Sequence, residues 1–168
     1  LITKIESGES ILNKNKFDII NLTENVFEML EFTAKKKKIK LTVNKDKGLL
    51  TKVIADKEKI EQVLTNLIDN SIKYGKDYGT TEIVIQSLNE DKIIVRVTDN
   101  GVGFKKENYT RIFERFFRVD RSGSRSAGGS GLGLAIVKHI IDAHDEKIYV
   151  ESEFGVGSEF SFTLEKSK

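Results

Sequence analysis

The chain has 168 residues, 38% of them hydrophobic and 32% charged, with a formal charge of +2 and no Pro, Cys or Trp. That length suits one globular domain with a sizeable core. Absent cysteine excludes disulfides and thiolate metal sites, interleaved charges of both signs argue against a nucleic-acid face, and no apolar run approaches the roughly 20 residues of a membrane span.

Leu1 to Glu9 reads as the last turns of a helix stopped near Gly8, as expected of a piece of a longer protein. Asn21 followed by Glu24 offers a helix N-cap with a reaching carboxylate, and Leu22, Val26, Met29 and Leu30 recur at helical spacing to about Lys37. The run Lys35 to Lys38 is then most simply the solvated end of that helix. Ile39, Leu41 and Val43 alternate with polar residues as a strand, and Thr51 to Ala55 is a shorter candidate. Asp56 is a good N-cap for a second helix, whose Ile60, Val63, Leu64, Leu67 and Ile68 form an apolar stripe.

Glu82 to Leu88 and Lys92 to Thr98 predict an antiparallel hairpin turning at Asn89-Glu90-Asp91. A short helix is expected over Lys106 to Phe113, and periodicity is lost through residues 114–130. It resumes from Leu132 to Ala143 in a mostly buried helix, and a last hairpin pairs Lys147 to Ser152 with Ser158 to Leu164. The order α-β-α-ββ-α-ββ implies an α+β fold, a layer of helices over a mostly antiparallel sheet.

Seven of the 13 glycines fall between Gly101 and Gly133. A floppy loop would account for Gly123 to Gly129, but not for Gly131-Leu132-Gly133 leading into a buried helix, where free N–H groups form an anion site. Asp99-Asn100-Gly101 is an ordinary hairpin-turn signal. No pairing strand follows it, so Asp99 stands at a strand end where a carboxylate can accept a hydrogen bond from an exocyclic amine. On the helix after Asp56, the residues Asn66, Asn70, Lys73 and Tyr74 lie near one face. A solvated face is the plain alternative. An amide oxygen can also ligate a hard cation such as Mg²⁺, a lysine can meet a phosphate as a point charge, and a tyrosine can stack on a base.

Together these segments resemble the nucleotide-binding boxes of the catalytic and ATP-binding domain of sensor histidine kinases, in the gyrase, heat-shock chaperone, histidine kinase and mismatch-repair ATPase superfamily. Gln62 to Tyr74 is similar to the N box, Asp99 to Phe104 to the G1 box, Ile112 to Asp120 to the F box, and Gly129 to Leu134 to the G2 box. The resemblance covers residues 17–168 and implies a Bergerat fold. This is a two-layer α/β sandwich whose mixed, mostly antiparallel sheet is covered on one face by three helices, with ATP between the N-box helix and a mobile lid.

Carried over by position, Asn70 is the Mg²⁺ ligand and Asn66 a phosphate and metal-shell contact. Lys73 holds phosphate, Tyr74 lies against adenine, and Asp99 reads the adenine amine. Gly101 and Gly103 let backbone approach the base, Arg118 faces the γ-phosphate, and Gly129, Gly131, Leu132 and Gly133 bring N–H groups to the phosphates. Asn66, Lys73 and Arg118 are thus the catalytic candidates, and Phe113 and Phe116 are similar to lid anchors. Ser71 stands where Ala is usual. His144-Asp145-Glu146 stands where the family has His-Gly-Gly, which puts the shape of that turn in question, and His139 and His144 are expected to be helix-end residues rather than catalysts.

Position 66 separates the branches. Hydrolytic relatives carry there a Glu that activates water, whereas the amide of Asn66 has no basic lone pair to accept a proton. The resemblance therefore implies transfer of the γ-phosphoryl group of Mg-ATP to a histidine on a separate dimerisation hairpin, with residues 1–16 as the end of its second helix and a linker, and 17–168 as the catalytic domain. A monomeric fragment, a homodimeric and membrane-anchored parent with this domain in the cytoplasm, and a downstream response regulator are expected with it. A hydrolytic clamp module and a degenerate nucleotide-sensing scaffold are the alternatives.

Overall fold

A computed structural model describes residues 11–115, 117 and 133–168. The elements run β1 (Lys14–Asp18), α1 (Ile19–Lys36), β2 (Lys40–Lys45), β3 (Lys52–Asp56), α2 (Lys57–Lys73), β4 (Thr80–Ser87), β5 (Lys92–Asp99), a 3₁₀ turn (Lys106–Asn108), α3 (Gly133–Ala143), β6 (Ile148–Glu153) and β7 (Gly157–Lys166). The strands form one sheet in the order β1-β3-β7-β5-β4-β2, with β6 also on β7. Every pairing is antiparallel except β2 with β4. The three helices and the mixed sheet of the described residues make the expected α+β sandwich.

α2 lies across the middle of the helical layer, packed on both α1 and α3. Its stripe of Ile60, Val63, Leu64, Leu67, Ile68 and Ile72 is buried, at about 1.5–3 kcal/mol for each such side chain. Ile83 and Ile85 of β4, Val95 and Val97 of β5, and Phe160, Phe162 and Leu164 of β7 complete the core beneath it.

Asp56 organises the start of α2 three ways. Its Oδ1 accepts the Lys59 N–H at 3.3 Å as the N-cap, its Oδ2 accepts the Asn13 N–H at 3.0 Å, and its own N–H donates to His144 Nε2 at 3.0 Å. An amide donor on Nε2 makes that nitrogen the acceptor, so Nδ1 carries the proton and donates to the Ile140 carbonyl at 2.9 Å. Buried His144 thus ties the end of α3 to the start of α2, a structural role as expected; His139 is exposed on α3.

Several local expectations are corrected. Asp18, not Asn21, caps α1, its Oδ1 accepting from the Ile20 N–H at 2.9 Å and from Thr51 Oγ1 at 2.9 Å. β1 is an element that the sequence pattern does not show. It brings Lys14, Asn15 and Lys16 into the sheet opposite Asp56, Ala55 and Ile54, although the expected boundary after residue 16 left them outside the domain. The helix expected over Lys106 to Phe113 is a single 3₁₀ turn followed by hydrogen-bonded turns. The turn after α3 takes a left-handed backbone at Asp145, φ +58, the conformation a glycine adopts without steric cost. Leu1 to Glu9, Phe116, Arg118, Gly129, Gly131 and Leu132 lie outside the described residues.

Candidate nucleotide-binding site

The site is built where the second half of α2 meets the end of β5 and the start of α3. Asn66, Asn70, Lys73 and Tyr74 are all half-buried along that stretch. Asn66 Nδ2 donates to the carbonyl of Gly133 at 3.3 Å, placing the first residue of α3 directly against α2. Asn70 has its side chain outside every hydrogen bond among the described residues, while its backbone carbonyl accepts from the Tyr74 N–H at 3.1 Å. Lys73 pairs with Asp69 at 3.1 Å one turn back, both about one-third exposed. Such a pair is worth only a few tenths of a kcal/mol, so the lysine is easily drawn to a phosphate.

Asp99 closes β5. Its Oδ1 receives the N–H of Gly101 at 2.9 Å and that of Ser158 at 3.3 Å, so both backbone donors converge on one oxygen. Burial pushes the Asp99 carboxyl above the usual carboxylate range, against the opposing pull of Gly101, Ser158 and the Ser71 hydroxyl. A carboxylate kept in place against desolvation at a strand end is a candidate functional group.

Ser71 is the residue that sequence reasoning undervalued. It is buried, its Oγ lies 2.5 Å from Thr81 Oγ1 of β4, and its hydroxyl steadies the Asp99 charge. The available signal was a hydroxyl on the apolar stripe, three residues after Ile68 and four after Leu67.

Gly101 and Gly103 answer a packing demand inside the protein. A Cβ at Gly101 would strike the Tyr74 carbonyl oxygen and stand 2.9 Å from Gly75 Cα. At Gly103, where φ is +63, it would strike the Glu153 carbonyl and stand 2.9 Å from that of Gly157. The loop after β5 is thereby clamped between the end of α2 and the β6–β7 turn, and the Val102 N–H donates to the Tyr74 carbonyl at 3.1 Å. Gly133 is different: among the described residues a Cβ there meets nothing within 4 Å. Phe113 packs edge-on against Phe160 with centroids 6.0 Å apart.

No group of three Asp, Glu, His or Cys side chains able to hold a metal occurs among the described residues. With neutral amides at 66 and 70, a Mg²⁺ ion fits here as one brought in with phosphate oxygens, the way this ion is commonly bound.

Comparison with known proteins adds the deciding observation. Residues 55–168 match the family described as histidine kinase-, DNA gyrase B-, and HSP90-like ATPase. The chain belongs to this family. It is 33% identical over 165 residues to the sensor histidine kinase WalK of Bacillus subtilis, covering 97% of this chain and 26% of WalK. It is 38% identical over 146 residues to the adaptive-response sensory kinase SasA of Synechocystis, covering 87% of this chain and 37% of SasA. The chain therefore spans well under half the length of these curated relatives. Among solved structures, the catalytic domain of histidine kinase ThkA superposes with a TM-score of 0.78 at 28% identity, covering 92% of this chain and 97% of that domain. The family's two-layer arrangement of helices on a mixed sheet is the one described above.

Proposed function

We propose that this chain is the ATP-binding catalytic domain of a sensor histidine kinase, moving the γ-phosphoryl group of Mg-ATP to a histidine on a dimerisation hairpin of the parent protein. The observation that carries the reading is Asn66, an amide joining α2 to the start of α3 in the place where a water-activating carboxylate would make a hydrolase. Relatives named as sensor kinases support it, and so does full-length ShkA, described in complex with AMPPNP, which superposes with a TM-score of 0.82 at 28% identity.

In this reading Asp99 accepts the adenine amine, Tyr74 lies against the base, and Lys73 and Arg118 meet the phosphates. Gly129, Gly131, Leu132 and Gly133 offer N–H groups at the start of α3, and Asn66 and Asn70 would hold the ion, which supplies charge neutralisation at the phosphates. Positioning and neutralisation are most of what phosphoryl transfer asks of a protein. The residues before β1 lead from the dimerisation helix, and the parent is a membrane-anchored homodimer with this domain in the cytoplasm. It passes its phosphoryl group to a response regulator; the relative ThkA is described in complex with one.

The test supplies γ-labelled ATP to this chain with and without a dimeric histidine hairpin. Acid-labile phosphate is expected on the hairpin and not on His139 or His144 of this polypeptide. Self-labelling at either histidine, or turnover of the chain alone near the typical enzyme scale of about 10 per second, overturns the reading.

A further inference from the structure

The structure assigns Lys37 as a positioning residue for the nucleotide site, an inference that rests on the function proposed above. Its ammonium donates to the carbonyls of Ile72 at 3.1 Å, Lys73 at 2.5 Å and Gly75 at 3.1 Å. A helix ends with unsatisfied carbonyls and the negative pole of its dipole, so a cation there is favourable twice over. Among the described residues Lys37 is the sole donor to the Lys73 and Gly75 carbonyls. This cap comes from outside the helix, 35 or more residues earlier in the chain.

The segment it holds is the one the site depends on. The last turn of α2 carries Asn70, Lys73 and Tyr74, and the Tyr74 carbonyl is the surface against which Gly101 and Val102 are seated. The corner containing Lys37 is itself braced. The Lys37 carbonyl accepts the Tyr78 N–H at 2.9 Å, and Lys38 Nζ donates to the Tyr78 hydroxyl at 2.7 Å. Lys38 and Tyr78 both hold left-handed backbones, at φ 57 and 62. Two such residues facing one another across two loops persist only where the surroundings over-determine them. The α1–β2 corner therefore acts as a buttress, with Lys37 as its point of contact, and fixes how far the phosphate-facing and base-facing side chains of α2 stand from Asp99.

The test is a titration of AMPPNP into the folded chain, alongside melting curves. Lys37→Met keeps the side chain's length without its charge, and is expected to remain folded and weaken binding about tenfold, as small misplacements of binding groups do. Lys35→Met, two residues earlier and ion-paired with Glu31 on the surface, is expected to bind as the parent does. Lys37→Arg is expected to recover most of the affinity. In Lys37→Ala, n-propylammonium is expected to restore binding where tetramethylammonium at equal ionic strength does not. Should Lys37→Met fail to fold, Lys37→Gln, which keeps a donor, takes its place.

Full affinity in the folded charge-free variant overturns the proposal, as does a loss that neither Arg nor propylammonium reverses. A parent chain that binds no nucleotide overturns instead the function on which the proposal rests.

Discussion

Asp99→Asn separates binding from stability at a single atom. The asparagine carbonyl oxygen can keep the two bonds that Asp99 Oδ1 accepts from Gly101 and Ser158, while the second carboxylate oxygen becomes an amide donor. In the native protein burial raises the carboxyl's pKa, so the folded state holds its proton to higher pH than the unfolded chain does. The sign follows: stability from this group is greatest below the unfolded value and declines as pH climbs through the folded one. Burial of the charged form of Asp99 is therefore a burden on the free domain above the folded value, and the neutral amide relieves it. Toward ligand the change has the opposite sense under the proposed function, in which an amide donor would meet the adenine amine as a buried mismatch costing about 1–3 kcal/mol. Nucleotide affinity should fall about tenfold to a hundredfold, while the melting temperature of the free domain stays level or rises. Calorimetric titration with adenine and guanine nucleotides, beside thermal melts at pH 7, reads both quantities. Unchanged adenine affinity, equal affinity for guanine nucleotides, or a lowered melting temperature refutes the reasoning.

Gly101→Ala drives a methyl into the Tyr74 carbonyl and should cost about 1–3 kcal/mol of stability by chemical denaturation. Gly133→Ala meets nothing within 4 Å among the described residues and should leave stability level or higher while weakening nucleotide binding, measured by the same titration. Asp145→Gly removes a left-handed backbone penalty at φ +58 and should add about 0.5–1 kcal/mol, seen as a rise of about 2–4 °C per kcal/mol in melting temperature.

What the sequence made legible follows from how local each signal is. The apolar stripe and N-cap of α2, and the alternation in β4, β5, β6 and β7, are determined by neighbours a few residues away, and those elements form close to where the pattern sets them. β1 carries a single inward apolar residue, Phe17, in the run Lys14-Asn15-Lys16-Phe17-Asp18, too little to show a period. Its strand exists because β3 offers an edge. Asp18 and Asn21 are both sound caps by type, and the choice between them is made by Thr51, which meets Asp18 from 33 residues away. Lys37 sits in a run of four lysines that advertises nothing but solvent, and its capping role arises only when α2 is folded beside it. At the site, the residue types and their spacing were visible, whereas the burial that raises Asp99 and the backbone collisions that demand Gly101 and Gly103 are properties of the assembled layers.

The placement of β7 carries a consequence for the order in which this domain comes into being. Last of the described strands in the chain, it is central in space. One edge pairs with all of β5, from Lys92 opposite Glu165 to Asp99 opposite Ser158, while the other takes β6 and then β3. Until β7 is made, the β1–β3 pair has no hydrogen-bonded path to β5, β4 and β2, and Asp99 lacks its partner Ser158. During synthesis the two groups of earlier strands share only the packing of helices across them, since pairings of high sequence separation are slow to close and exposed until they do. The strand that joins the two halves of the sheet is thus also the one that completes the bonds of Asp99, so the end of β5 reaches its described geometry only when β7 is in place.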